Sequence, residues 1–353
     1  MGREARAAKA LTESETSEAS MYKQLALLQQ FRPGAAVGYH IFFAAAITLL
    51  PASGFAGGIE LDSREYKLML RPAEFFTADP QQAVNRFITE QLVPAVRDQW
   101  NADAANELAK KGFEVGERRI VRFWDSGDCL LFRHGFAWRA LTDIDEHGKR
   151  ADEVELTLKF RSPDAFLAAS TPLKAMNDAR KVDSKFEEDL GPVAVRSGPE
   201  GGVVANPRAV RSQFSRSTTQ IVSSDQAPTN LAGIKRLYPS FDEELQTVVG
   251  RIEMSAPLDP SPEYRELVYK SSKLDIAKDL KARFALTLWY KSAENRDHPA
   301  LAEISFKCDA KDGDVRNEVA RRALELLLAM QDLPWADPSA PTKTALVACD
   351  RPS

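Results

Sequence analysis

Arg119 to Leu141 reads RIVRFWDSGDCLLFRHGFAWRAL. A strand pattern ends in the aromatic-aromatic-acid turn Phe123-Trp124-Asp125, a short apolar run follows, and Gly135 opens a second strand that carries Arg139. Downstream, Glu153-Val154-Glu155-Leu156-Thr157-Leu158-Lys159-Phe160 puts Glu153, Glu155, Thr157 and Lys159 on one face at a period of two. Charged and large apolar residues alternating on successive strands describe a sheet with one apolar face and one ionic face. Closed on itself, such a sheet becomes a barrel or tunnel that can grip a multiply charged ligand. An open antiparallel sheet with one solvated face gives the same alternation and is the competing reading.

Composition narrows the classes. The chain has 353 residues, 44% hydrophobic and 28% charged, which allows one large or two modest globular domains. A net charge of −4 argues against nucleic-acid binding by bulk electrostatics, so no nucleic-acid partner is expected. Cys129, Cys308 and Cys349 show no CxxC spacing and the four histidines are scattered, which speaks against a Cys/His zinc site. Phosphate-cradling glycine motifs and a nucleophile elbow are absent from the sequence. Asp125 and Asp128 read as side chains closing a turn, with cation binding as the alternative.

The N-terminus predicts export. Residues 1–20 are polar with no apolar period and read as disordered, and Met21 is a plausible initiator beside Met1. Lys23 and Arg32 then precede the apolar run Ala35–Leu50, and small residues lead to a cleavage point near Ala56/Gly57. An uncleaved membrane anchor is the alternative, and the only route to a membrane partner. Residues 1–56 are thus assigned to a disordered start and signal peptide, and 57–353 to one domain in the periplasm or outside the cell. In an oxidising compartment Cys308 and Cys349 are expected to pair, leaving Cys129 free.

Past Gly57, strands and helices mix as in an α+β domain. Strand patterns cover 65–70, 119–125, 136–141, 153–160, 185–189, 245–254, 266–273, 281–290 and 302–307. Helical spacing sets Val84, Phe87, Ile88, Leu92, Val96 and Trp100 on one face, with a break expected at Pro94. Residues 191–231 are rich in Gly, Pro, Ser and Arg and predict a flexible insertion. A last helix is expected over 315–331, and Lys343–Ala348 (KTALVA) reads as strand-like.

The order and spacing of these segments resemble the CYTH domain of the triphosphate tunnel metalloenzymes. Arg122-Phe123-Trp124-Asp125 is similar to that family's strand ending in an aromatic-Asp turn. Gly135-Phe136-Ala137-Trp138-Arg139 resembles its strand whose arginine faces the tunnel, and Leu156-Thr157-Leu158-Lys159 its Leu-Thr-x-Lys strand. The resemblance implies an antiparallel β-barrel or tunnel with flanking helices. It further implies that Lys67, Arg122, Arg139, Lys159, Lys185 and Lys307 hold phosphate groups, and that Glu65, Glu187, Asp189 and Glu303 hold Mg²⁺ or Mn²⁺.

Two positions depart from the family's pattern. Ser63 stands where the first strand has its first glutamate, and Ser305 where the last motif has its second. Serine adds no charge and is a poor divalent ligand beside a carboxylate. A tunnel so altered keeps its grip on a polyphosphate-type small molecule while metal binding weakens and catalysis fades. The other reading is a working metal-dependent triphosphatase acting on inorganic or nucleoside triphosphate.

Overall fold

The computed structural model describes residues 59–197, 202–249, 253–277, 280–291, 297–310 and 315–349. The segment assigned to export lies outside these residues. Eleven strands follow in chain order: β1 (Ser63–Leu70), β2 (Glu114–Asp125), β3 (Phe136–Asp143), β4 (Glu153–Ser162), β5 (Arg180–Ser197), β6 (Gly202–Ser223), β7 (Asp259–Pro260), β8 (Tyr264–Lys270), β9 (Leu274–Ala277), β10 (Leu280–Lys291) and β11 (Leu301–Asp309). Nine of them close a barrel in the order β1-β5-β6-β4-β3-β2-β8-β10-β11 and back to β1. The barrel expected from the charge alternation is therefore present. Directions can alternate around a closed ring only if the strand number is even, so nine strands force one parallel pair. It falls between β1 and β5, where Glu65 lies beside Asp189, and the all-antiparallel expectation is corrected at that seam.

The two larger hydrophobic cores lie outside the barrel wall. Tyr66, Leu68, Phe284, Leu286, Ile304 and Phe306 point outward from β1, β10 and β11 and are almost fully buried. They pack under α1 (Pro80–Phe87), α2 (Val93–Gln99), α3 (Ala102–Lys111) and α8 (Asn317–Gln331). The face predicted for the first helices is the buried one, including Val84, Phe87, Leu92, Val96 and Trp100. Pro94 does not break it. A π-helical turn at Ile88–Leu92 joins α1 to α2, with the Val93 amide donating five residues back to Ile88, so the missing proline N–H is absorbed by a wider turn. A second core sets Trp138, Leu156 and Leu158 of β3 and β4 against α6 (Leu231–Leu237) and α7 (Phe241–Val249). Each such large side chain contributes roughly 1.5–3 kcal/mol by leaving water. With the two larger cores outside, the inward face is shared between polar groups and a smaller apolar cluster around Phe123 and Val347.

Three local expectations fail for identifiable reasons. The supposed insertion at 191–231 is largely the 22-residue strand β6, part of the barrel wall. Between Arg211 and Ile221 its inward side is Gln213, Ser215, Ser217 and Thr219, uncharged polar residues that imitate a loop in composition. The segment expected as strand from Leu245 is mostly α7, whose first turn carries Asp242, Glu243 and Glu244, favourable at a helix N-terminus. KTALVA is not a strand but α9 (Lys343–Val347), started by the Thr342 hydroxyl accepting from the Ala345 amide at 3.4 Å. Six residues are too few to separate a period of two from a helical turn. The two short helices not yet placed are α4 (Leu130–Arg133) and α5 (Ala165–Ser170).

Candidate functional site: a cationic chamber inside the barrel

On β2 to β5 the odd-numbered side chains point inward. They and β6 enclose a chamber of about 480 Å³ lined by Arg119, Arg139, Glu155, Thr157, Lys159, Arg161, Lys181, Asp183, Lys185, Glu187, Ser217 and Thr219. Register sets this arrangement. Arg139 lies opposite Thr157 and Phe123, and Lys159 opposite Ala137 and Ser217. The backbone of β4 is anchored at its end by Gly135, whose carbonyl accepts from the Arg161 amide at 2.8 Å. Gly135 has φ +79°, and a Cβ there would sit 2.6 Å from the Arg161 carbonyl oxygen, so only glycine allows this approach.

Of the residues expected to bind phosphate, Arg139, Lys159 and Lys185 line the chamber, Lys185 at its exposed mouth beside Asp183. Lys67 lines a smaller cavity of about 80 Å³ together with Arg161, Asp189, Glu303 and Lys343. Arg161 and Thr344 line both cavities, joined by a 3.2 Å hydrogen bond from the guanidinium to the hydroxyl, and they form the partition between them. Lys307 is inward and ion-paired to Glu187. Arg122 is not in the chamber. It sits on the outer face, 3.0 Å from Glu263 and over the Trp124 ring, because strand parity puts Phe123 inside instead. Sequence reading missed Arg119 and Arg161. Both were findable, since Arg161 continues the series Glu155, Thr157, Lys159 by one more step of two.

The chamber's lining counts six cationic side chains against three carboxylates. Arg119 is offset from the wall by Glu266, which accepts from its Nε at 2.8 Å. Among the described residues, Arg139 and Arg161 make no ion pair. Among the described residues the Arg139 side chain reaches Thr157 Oγ1, at 3.5 Å, and its buried Nε has no hydrogen-bond partner. Burial pushes both guanidiniums below their usual pKa; Glu266 opposes this for Arg139 and Asp189 for Arg161, while a second arginine, Arg119 for the first and Arg139 for the second, adds to the shift. Burial also lowers the Lys159 ammonium to about 8, with Asp189 opposing and Arg161 adding to the shift. Positive charge is thus present in excess and short of counter-ions.

The four carboxylates assigned to metal each meet a lysine. Lys67 bridges Glu65 at 3.2 Å and Asp189 at 3.0 Å. Glu187 holds Lys307 and, at 3.6 Å, Lys159; Glu303 holds Lys343 at 2.8 Å. Burial would raise Glu187, but Lys159 and Lys307 overcome it and hold its carboxyl at about 2. Burial alone would lower Lys67, yet Asp189 and Glu65 carry it above the usual lysine range. Ser63 has become a donor to Glu187 Oε1 at 3.1 Å, and Ser305 is the buried cross-strand neighbour of Lys67. Among the described residues no three His, Cys, Asp or Glu side chains gather into a protein-only cation site. The chain thus offers no preformed cage for a resident Mg²⁺ or Mn²⁺, each of the four assigned carboxylates being held by an ammonium group.

The floor of the chamber comes from the C-terminus. Val347, the last residue of α9, and Ala348 after it pack inside the barrel with Met69, Val121, Phe123 and Tyr264. Cys349 is bonded to Cys129, not to Cys308, which is buried and reduced. The loop holding Cys129 is fixed by Asp125, whose carboxylate accepts from the amides of Ser126, Leu131 and Phe132 at 2.7–2.8 Å. Asp125 thus closes its own turn, as expected. The cysteine pairing was unreadable because it depends on α9 turning into the barrel.

No family model matches the chain, and no curated protein matches it. Among solved structures it aligns with a putative adenylyl cyclase from Hippeastrum, described as having a dominant triphosphatase activity, at 11% identity and a TM-score of 0.37, over 80% of this chain and 93% of that one. A putative adenylate cyclase from Bacillus halodurans aligns at 10% identity and a TM-score of 0.35, over 82% of this chain and 98% of that one.

Proposed function

We propose that the protein is a divergent relative of the triphosphate tunnel proteins that binds a small polyanion of phosphate type in the barrel without needing a divalent ion, catalysis being weakened or lost. The observation that carries this reading is the pair Arg139 and Arg161, buried at the chamber with no close ion pair among the described residues, burial outweighing the pull of the more distant carboxylates. Burying an unpaired cation is costly, and an anion bringing two or more charges offsets that cost. Charge-assisted hydrogen bonds to phosphoryl oxygens suit guanidinium geometry. Lysines on all four metal-assigned carboxylates support metal independence. Export remains part of the proposal, supported by the N-terminal pattern and by a disulfide, which persists in oxidising compartments.

Calorimetric titration with tripolyphosphate tests this directly. Binding should be nearly equal in EDTA and in Mg²⁺, with little phosphate released. Brisk Mg²⁺-dependent turnover that disappears in Glu65→Ala or Glu303→Ala would overturn the reading and make the protein a triphosphatase.

Lys159 supplies a pH signature. Its folded pKa of about 8 lies below the ordinary 10.5, so between these values the unfolded chain holds the extra proton. Its contribution to stability should accordingly rise as pH climbs from about 8 to 10.5. An anion beside Lys159 favours the charged form, so binding above pH 8 should take up a proton. Affinity should fall by up to about tenfold per pH unit there, and titrations in buffers of different ionisation enthalpy should show the uptake. Lys159→Met should abolish both effects.

A further inference from the structure

Register sets the inward side chains of the chamber in levels, each step of two residues being about 6.7 Å along a strand. Lys159 and Lys185 flank Ser217 at one level, and Arg161 and Glu187 flank Ser215 at the next. In the other direction Thr157 lies between Arg139 and Thr219, and one step further Glu155 lies beside Ile221. The wall made by β4 and β6 is therefore cationic at one end, acidic at the other, and lined with hydroxyls from Ser215 to Thr219. Several of its polar groups are unmet. Among the described residues Glu155 makes no hydrogen bond or ion pair, and its charge reaches Arg119 and Arg139 only from a distance. Ser217 Oγ has no partner among them either, and Ser215 Oγ is fully buried without one. Thr157 and Thr219 share a bond of 2.9 Å and Arg139 donates to Thr157, which leaves one hydroxyl hydrogen of the pair for a ligand.

Resting on the polyanion reading above, we propose that the ligand is a phosphorylated polyol. Its phosphate-type groups lie on Lys159, Arg161 and Arg139, and its hydroxyls on Glu155, Thr219 and Ser217. Ionised phosphate oxygens accept hydrogen bonds and do not donate them, and the same holds for an ionised carboxylate. A bare polyphosphate would bring its charge against Glu155 and leave that carboxylate unmet. A hydroxyl donates to the carboxylate and accepts from a neighbouring threonine or serine, so one group answers both. Ile221, level with Glu155, supplies apolar surface for the C–H face of a sugar or cyclitol ring. A nucleobase finds no comparable place: Phe123 is the single aromatic ring in the lining and is 4% exposed. The chamber volume of about 480 Å³ falls in the range of about 300–1,000 Å³ usual for small organic ligands. Glu155 is then a specificity residue that selects against an acceptor-only anion.

Two bisphosphates of like charge test this on the intact protein: fructose 1,6-bisphosphate, which carries hydroxyls, and hexane-1,6-diol bisphosphate, which has none. In calorimetry the sugar should bind about tenfold or more tightly, the worth of at least one hydrogen bond to a charged acceptor. Equal binding, or a preference for the diol ester, would overturn the polyol assignment, while binding of tripolyphosphate would leave the polyanion reading intact. Failure of tripolyphosphate and of both bisphosphates to bind would sink the two readings together. Glu155→Ala separates contact with the ligand from a general balancing of charge. The variant should lose the preference for the sugar and bind tripolyphosphate more tightly, because a repelling charge is gone. A preference that survives in Glu155→Ala would come from the stiffness of the sugar ring and would overturn the assignment. Equal weakening of both bisphosphates would do the same, since Glu155 would then act by holding Arg119 and Arg139. Where the variant does not fold by circular dichroism, the comparison of the two esters in the unaltered protein decides.

Discussion

Arg139→Gln and Arg161→Gln should each weaken tripolyphosphate binding by about ten- to a hundredfold, the loss of a charge-assisted contact of roughly 1.5–3 kcal/mol. Loss of affinity alone would also follow from misfolding, so the stability of the free protein is the second readout. A guanidinium buried with no ion pair among the described residues costs the fold more than a neutral amide of similar shape. Both variants should therefore unfold at the same urea concentration as the original or a higher one, while binding falls. The double substitution should bring binding close to the limit of detection. Affinity preserved in both variants would mean that the anion sits elsewhere and would reject the chamber as the site. Arg122→Gln is the matched control: Arg122 lies outside the wall on Glu263, so its loss should leave binding unchanged.

That control shows how the site was legible and where it was not. Parity along a strand decides which side a residue faces, and one residue of error reverses it. Glu153-x-Glu155-x-Thr157-x-Lys159 announced its parity by sustained alternation, and the inward arginine Arg161 belonged to the same series. In β2 the run Arg118-Arg119-Ile120-Val121-Arg122 carries cations on both faces, so parity was ambiguous and Arg122 was assigned inward where Arg119 belongs. The barrel itself was readable from charged alternation on six strands. Its ninth strand, β6, was not, since the middle of its inward side, Gln213 to Thr219, is Ser, Thr and Gln and its composition resembles a loop. Ser63 and Ser305 were recognised as losses of carboxylate, but the lysines that took over the remaining acids were not. Glu303 meets Lys343 only because the last helix folds back into the barrel, a contact between residues forty positions apart that no local pattern announces. The same return of the chain decided the cysteine pairing.

The largest loss of stability is expected from Glu266→Ala. Glu266 is 5% exposed in the inner wall of β8, and it is the shared acceptor of Arg119 and Trp289, each at 2.8 Å. Burial alone would raise its pKa, but Arg119 and then Lys343 hold it below the usual carboxylate range, so it is charged in the fold at neutral pH. Removing it leaves the mostly buried Arg119 guanidinium with Glu117 alone, at 2.6 Å, and the indole N–H without its acceptor; breaking one side of a buried pair costs about 3–5 kcal/mol, and Glu117 sets the loss toward the lower end. Urea denaturation monitored by tryptophan fluorescence should show that loss as a lower midpoint. Glu266→Gln keeps the shape and an acceptor oxygen, so it should cost clearly less. The pH dependence follows the sign of the shift: a carboxyl lowered in the fold stabilises above its unfolded pKa of about 4.3, and that stabilisation fades as pH falls through the lower folded value. In acid the gap between the original protein and Glu266→Ala should therefore narrow. A gap that stays constant down to the acid limit would mean that Glu266 acts by packing alone, and that its charge does not hold Arg119 in the chamber wall.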